Sequence, residues 1–357
     1  MKKFLSILFL FSILFTSICF AKDYEDLTDN TFKSVKRYVD SKSSKMDIGV
    51  GFYHIETGKS FYIKPNEKFP LASVFKVPIM ICVLQDIDKG KLTLSDKLSL
   101  NRNDQCVGSG DIQYSPLGQS FTASNLMYKM ISVSDNTASD MLWNYIGYDA
   151  CNDMLKNIGL NNSDVYIANR PSWLLSLGEY SKFRNYDSLK IASVWKNMNK
   201  SERFSAIQEV LNENSNLTLS QFQKIEDDSE NTGSYESDVV VAEALDNLST
   251  PRDFSILLAK LYKGELLSKP MTNKALAYMG SCKYNSRIPG KLPNGTKVWH
   301  KTGTIAGCVN DVGIVKFSDN SHGVVVVFAR RVKKGYSSEA GNSIADISKI
   351  IYDNFSK

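Results

Sequence analysis

Strand-like apolar runs stand near both ends of this chain with a long helical stretch between them, so one sheet has to be closed by segments from opposite termini. Near the start, Ile48-Gly-Val-Gly-Phe-Tyr-His-Ile55, the turn Glu56-Thr57-Gly58 and Ser60-Phe-Tyr-Ile63 read as a β-hairpin. Near the end, residues 297–302, 311–317 and 323–331 read as three strands, followed by a closing helix over residues 337–355. Residues 28–42 carry Phe32, Val35 and Tyr38 at helical spacing. A second helix is expected from near Ser73 to Gly90; its apolar residues lie nearly all round, which predicts a buried central position. Residues 122–158 read as helical with an interruption around Ser134, and Pro251-Arg252-Asp253 opens a further helix, proline being tolerated in a first turn. The expected fold is therefore mixed α/β (α+β): an antiparallel sheet from both chain ends flanked by helices, with an all-helical subdomain inserted over about residues 90–250. Within it, residues 172–247 read as an inserted helical element with a flexible surface loop at the polar run 227–234.

The first 21 residues stand apart. Met1, Lys2 and Lys3 precede an apolar run to Phe15 and the segment Thr16-Ser-Ile-Cys-Phe-Ala21, the pattern of a secretory signal cut after Ala21. The expectation is an exported, periplasmic or secreted protein whose mature part, residues 22–357, is one catalytic domain. It should act as a monomer with no stable membrane insertion once the signal is gone. Removing Lys2 and Lys3 takes the formal net charge from +5 to +3. That balance, with no basic stripe interleaved with aromatics, argues against a nucleic-acid partner. Five cysteines remain: Cys82, Cys106, Cys151, Cys282 and Cys308. They lack metal-ligand spacings and any Cys-x-x-Cys, so neither a metal nor thioredoxin-like chemistry is expected. Their odd number leaves at least one thiol unpaired within the monomer, with room for one or two disulfides whose pairing stays open. No phosphate-binding glycine loop is present, and His54, His300 and His322 fit no triad or metal spacing. No cofactor is expected.

Three short motifs carry the chemistry. Ser73-Val74-Phe75-Lys76 sets a hydroxyl and an amine at i and i+3, on one helical face. A serine hydroxyl is a weak nucleophile and needs a base. A lysine serves when desolvation or nearby positive charge lowers its pKa from about 10.4 toward neutrality. The pattern alone is not specific: Ser193-Val194-Trp195-Lys196 repeats it on what reads as an ordinary amphipathic helix. Ser134-Asp135-Asn136 likewise has a twin, Ser318-Asp319-Asn320, placed as a turn between the last two strands. Lys301-Thr302-Gly303 occurs once. Order and spacing make the set specific.

Ser-x-x-Lys, then Ser-Asp-Asn about sixty residues on, then Lys-Thr-Gly near the C-terminus resembles the class A β-lactamases and penicillin-binding proteins. Similar residues recur at Ser249-Thr-Pro-Arg-Asp253, Leu267-Ser268, Arg287-Ile288, Gly290-Lys-Leu-Pro293 and Asn310-Asp311. The resemblance spans roughly residues 45–165 and 248–357. It implies that Ser73 forms an acyl-enzyme, activated by Lys76, with Ser134 relaying a proton to the leaving nitrogen. Backbone N–H groups of Ser73 and Thr304 would form the oxyanion hole, and Asn136 would hold the substrate amide. Lys301, Thr302, Gly303 and Thr304 would bind the substrate around its carboxylate, helped by Arg287. Strand alternation sends Lys301 and Gly303 to one face and Thr302 to the other, so placing both Lys301 and Thr302 in the cleft calls for a local twist.

One element departs from the family. Class A enzymes carry a glutamate, in Glu-x-x-Leu-Asn, that activates the deacylating water. If Arg170 is that loop's arginine, Ser172 falls where the glutamate belongs, and a serine cannot serve as that base. Glu179 is the nearest carboxylate along the chain and the candidate substitute for that deacylation base. The resemblance thus implies, first, hydrolysis of β-lactams and, as the alternative, a D-alanyl-D-alanine peptidase acting on cell-wall peptides. A third reading is a sensor ectodomain in which acylation itself is the signal.

Overall fold

The computed structural model describes residues 24–356 apart from Gly233, so the segment read as an export signal lies outside the described residues. The chain runs α1 (Tyr24–Asp40), the hairpin β1 (Asp47–His54) and β2 (Ser60–Ile63), the short β3 (Phe69–Pro70), then α2 (Lys76–Asp88). A small ribbon, β4 (Lys97–Ser99) with β5 (Ser120–Thr122), leads to α3 (Ala123–Ser132), α4 (Asn136–Ile146) and α5 (Ala150–Asn157). Five helices follow: α6 (Asn169–Ser176), α7 (Ser188–Asn197), α8 (Lys200–Glu213), α9 (Leu219–Thr232) and α10 (Tyr235–Leu245). Then come β6 (Leu248–Ser249), α11 (Pro251–Tyr262), α12 (Lys269–Met279), β7 (Val298–Ile305), β8 (Cys308–Lys316), β9 (His322–Arg330) and α13 (Ser337–Phe355). No helix of the described residues is long and apolar enough to cross a membrane.

The main sheet has the order β2-β1-β9-β8-β7 and is antiparallel throughout. The N-terminal hairpin joins the C-terminal meander through β1 against β9, with Val50 opposite Val327. Strand β9 shows why. Val324, Val326 and Phe328 enter one core with α2, α3 and α11, while Val325, Val327 and Ala329 enter the other beneath α1 and α13. A strand buried on both faces reads as a continuous apolar run, as Gly-Val-Val-Val-Val-Phe-Ala does here. The expected sheet from both chain ends is thus present. The last two expected strands begin earlier than read: β8 starts at Cys308 because Ala306-Gly307 closes a two-residue hairpin, Gly307 supplying φ +66°.

The helices α6–α10 share a core of their own, with Trp195, Phe222, Leu174 and Val210 fully enclosed. The polar run expected as a flexible loop continues α9 to Thr232 instead. Phe222 is seated in that core and the following residues are tolerable helix formers, so the packed end carries the polar end along. Arg170 ties the bundle to the rest of the molecule. Its buried guanidinium donates to the Gln105 carbonyl at 2.6 Å and to the Asn214 carbonyl at 3.1 Å, and sits 5.1 Å from the Phe222 ring centroid. Arg170→Ala leaves those carbonyls without their donor and opens a cavity. It is expected to cost about 3 kcal/mol or more, read as a lowered Tm and earlier proteolysis between α6 and α10.

Candidate active site

Ser73 lies in a 3-10 turn, Ala72–Phe75, that runs straight into α2. The turn is held on three sides. Ala72 takes φ +46°, the left-handed region, a strain that persists only where surroundings impose it. Asn310 Nδ2 donates to the Pro70 and Leu71 carbonyls at 2.7 and 3.1 Å, and the Leu71 N–H donates to the Asn247 carbonyl at 2.8 Å. Strand β7 presses so close that a Cβ on Gly303 would stand 2.6 Å from the Leu71 oxygen and 3.2 Å from the Ser73 nitrogen. Glycine in Lys-Thr-Gly is therefore a packing requirement at the nucleophile.

Lys76, the first residue of α2, is fully buried. Its Nζ donates to the Ser134 carbonyl at 2.6 Å and to Asn136 Oδ1 at 2.7 Å, with Ser134 Oγ at 3.2 Å. Burial, then the positive charge of Lys301, lowers its pKa to about 7 against the opposing pull of Asp135 and Asp140. Lys301 Nζ reaches Ser134 Oγ at 3.0 Å, so this hydroxyl sits between two amines. Burial lowers the Lys301 pKa to about 8, Cys282 and Asp311 opposing.

Ser134 adopts φ +61°, a second strained non-glycine position, between α3 and α4. Asp135 fixes that junction: one carboxylate oxygen caps α4 through the Ala138 N–H at 2.8 Å, and the other accepts from the Asp111 and Ile112 N–H groups. One turn on, the Asp140 carboxylate accepts from the Asn169 and Arg170 N–H groups at 3.0 and 2.7 Å, docking the start of α6 beside the site. Burial raises its pKa to about 6, the Arg170 and Asn169 donors opposing.

A cavity of about 330 Å³ opens beside Ser73, lined among others by Asn136, Ser172, Trp173, Leu245 and Thr304. Among the described residues, three carboxylates reach it, Glu226, Asp238 and Asp246, and no lysine or arginine lines it. Glu179 is not among the lining residues; its N–H donates to the Leu174 carbonyl and its own carbonyl accepts from Asn214 Nδ2. Ser172 does line the cavity. Arg287 stands behind β7, donating to the Gly303 and Asn310 carbonyls at 2.8 and 2.6 Å and to Thr304 Oγ1 at 2.6 Å. It reaches the cleft through the Thr304 hydroxyl. Thr302 is buried in β7 and does not line the cavity, whereas Thr304, two residues on along the same strand, does.

The lookalike motifs separate cleanly. Ser193 and Lys196 are exposed on α7, and Ser318-Asp-Asn320 forms the β8–β9 turn with Asn320 at φ +67°. His300 is ion-paired with Asp311 at 3.0 Å and close to Asn285 Oδ1 at 3.1 Å. Burial lowers its pKa, but Asp311 outweighs burial and the net is about 10. The five cysteines are buried free thiols, Cys82 and Cys151 meeting at 3.9 Å, so the room left for disulfides is unused. No metal-holding cluster occurs among the described residues. Asp140, Asn169 and Asp246 had no signal in the sequence: each is a lone polar residue whose place depends on distant backbone.

The arrangement, a serine at a helix start beside the strained Ala72, with a buried lysine one turn on and a second lysine sharing the Ser134 hydroxyl with it, fits acyl transfer. Known proteins agree. The model of the β-lactamase enzyme family matches residues 30–355. The chain is 26% identical to β-lactamase VEB-1 of Pseudomonas aeruginosa over 92% of its length and 91% of that protein's. It is 27% identical to the extended-spectrum β-lactamase PER-1 of the same organism, over 86% and 82% respectively. In fold it is similar to the TLA-1 extended-spectrum β-lactamase, TM-score 0.68 at 21% identity over 92% and 99% of the two chains. PBP-A is comparably similar, TM-score 0.66 at 22% identity over 91% and 96%. With the motif order, the site geometry and a family match over nearly the whole described chain, this protein belongs to the β-lactamase enzyme family.

Proposed function

We propose that the chain hydrolyses β-lactams through an acyl-enzyme at Ser73, after export and as a monomer. The observation that carries this reading is Lys76 Nζ, buried and near-neutral in pKa, one helical turn from Ser73 and hydrogen-bonded into the Ser134–Asn136 junction. Neutral Lys76 takes the Ser73 proton as Oγ bonds to the lactam carbonyl carbon, and the Ser73 and Thr304 N–H groups receive the oxyanion. Ser134, between the two amines, passes a proton to the lactam nitrogen as the C–N bond breaks. Charged Lys301 and the Arg287-held Thr304 hydroxyl receive the substrate carboxylate, and Asn136 its side-chain amide.

Ser172 in place of a glutamate favours a second reading, a D-alanyl-D-alanine peptidase whose β-lactam adduct persists. One experiment separates them. The mature protein is mixed with a chromogenic cephalosporin while absorbance and intact mass are followed. The β-lactamase reading expects steady hydrolysis over many turnovers. A single stoichiometric adduct without turnover, together with release of D-alanine from a D-Ala-D-Ala peptide, would replace it by the peptidase. Size-exclusion of the same sample checks the monomer.

A further inference from the structure

With Arg170 taken as the loop's arginine, Ser172 stands where the family's water-activating glutamate belongs, and Glu179 does not line the cavity, yet a hydrolase of this kind needs a base for its second half-reaction. Three carboxylates line the cavity: Glu226 and Asp238 on α9 and α10, and Asp246 at the C-terminal end of α10. Asp246 is bonded to the nucleophile's own turn. Its Oδ2 accepts the Ala72 N–H at 2.5 Å, and Ala72 directly precedes Ser73. With adjacent Cα atoms about 3.8 Å apart, that oxygen lies no more than about 8 Å from the Ser73 Cα, a span that one or two waters bridge. Asp246 is half-buried, its accessible surface opening on the cavity, so water reaches it there.

Its position is fixed from both sides. The next residue, Asn247, accepts the Tyr166 and Ile167 N–H groups at 2.8 and 3.0 Å and donates to the Ile167 carbonyl at 2.8 Å. Two titratable groups that feel the Asp246 carboxylate carry no charge to offset it. Cys308 on β8 and Tyr166 are both pushed upward by burial and stay neutral near pH 7.

We propose that Asp246 is the general base that hydrolyses the Ser73 acyl-enzyme, standing in for the missing glutamate from the far end of the α6–α10 segment. The inference rests on the β-lactamase reading above. The Asp246 carboxylate takes a proton from a cavity water as the water oxygen bonds to the ester carbonyl carbon. On collapse the C–Oγ bond breaks, and the proton passes from Asp246 to Ser73 Oγ, leaving the acid product and the free enzyme. Burial, opposed by the Ala72, Asn247 and Leu71 N–H donors, raises its pKa to about 7, where a base works with greatest effect at neutral pH.

Asp246→Asn is the test, because the amide oxygen still accepts the Ala72 N–H while the proton acceptor is lost. With a chromogenic cephalosporin, the variant is expected to acylate within about threefold of the wild type, accumulate the Ser73 adduct by intact mass, and lose turnover by about 100-fold or more. The wild-type deacylation rate should climb through pH 7, and that limb should vanish in the variant. Glu226→Gln and Asp238→Asn, with circular dichroism as the folding control for all three, should turn over within about threefold of the wild type. Turnover retained in Asp246→Asn, acylation and deacylation reduced equally, or an adduct trapped by Glu226→Gln or Asp238→Asn instead, each overturns the proposal. A wild type that forms no Ser73 adduct sinks the β-lactamase reading itself, and the proposal with it. A wild type whose adduct forms but never turns over leaves acylation standing and removes the base alone.

Discussion

Replacing Ser73 by alanine is expected to abolish the covalent β-lactam adduct and to lower kcat/KM by at least about 10⁴-fold, with the fold intact. The size follows from the chemistry: without Oγ there is no ester to form, and the remaining donors only polarise a carbonyl that water must attack unaided. The fold survives because the 3-10 turn is held by the Asn310, Asn247 and Gly303 contacts, none of which uses the serine side chain. Intact mass after exposure to penicillin reads the adduct, and circular dichroism reads the fold. An adduct persisting in the variant, mapped by peptide mass to Ser134 or Ser172, would remove Ser73 as the nucleophile.

That the nucleophile could be picked from sequence owes nothing to Ser-x-x-Lys alone, because Ser193 and Lys196 present the same spacing on an exposed helix. What distinguished Ser73 was its order relative to Ser134-Asp-Asn136 and Lys301-Thr-Gly303, and the structure brings Ser134, Asn136 and Lys301 around Lys76 within hydrogen-bond networks. The sheet was legible for a different reason: β1, β8 and β9 are long apolar runs whose only outlet is a sheet covered on both faces. Residues 169–245 were not, since α9 ends in a polar stretch whose helicity derives from Phe222 packing under Arg170. Asp246 was invisible altogether. A lone aspartate after a helix carries no pattern, and its importance arises from one N–H of Ala72, far off in the chain. Alternation accounts for part of β7: Lys301 and Gly303 turn toward Ser134 and Ser73, while Thr304, which shares a strand face with the buried Thr302, supplies the hydroxyl at the cavity.

The second large effect concerns Lys76. Lys76→Met keeps the length of the side chain and removes the base, and acylation is expected to fall by about 10³-fold, within the range a positioned general base contributes. The pH dependence identifies the cause. The active form carries a neutral Lys76 and a charged Lys301, so wild-type kcat/KM should rise through about pH 7 and decline beyond about pH 8. The rising limb should be absent from the residual activity of Lys76→Met. Stability offers an independent reading. Burial depresses the folded-state pKa of Lys76 below its ordinary value, so the unfolded chain binds the extra proton between about pH 7 and 10 and stability increases with pH across that window. The melting temperature of the wild type should therefore climb relative to Lys76→Met as pH goes from 7 to 10. Parallel melting curves together with an unchanged acid limb would mean that Lys76 stays charged in the fold, and that another group takes the serine proton.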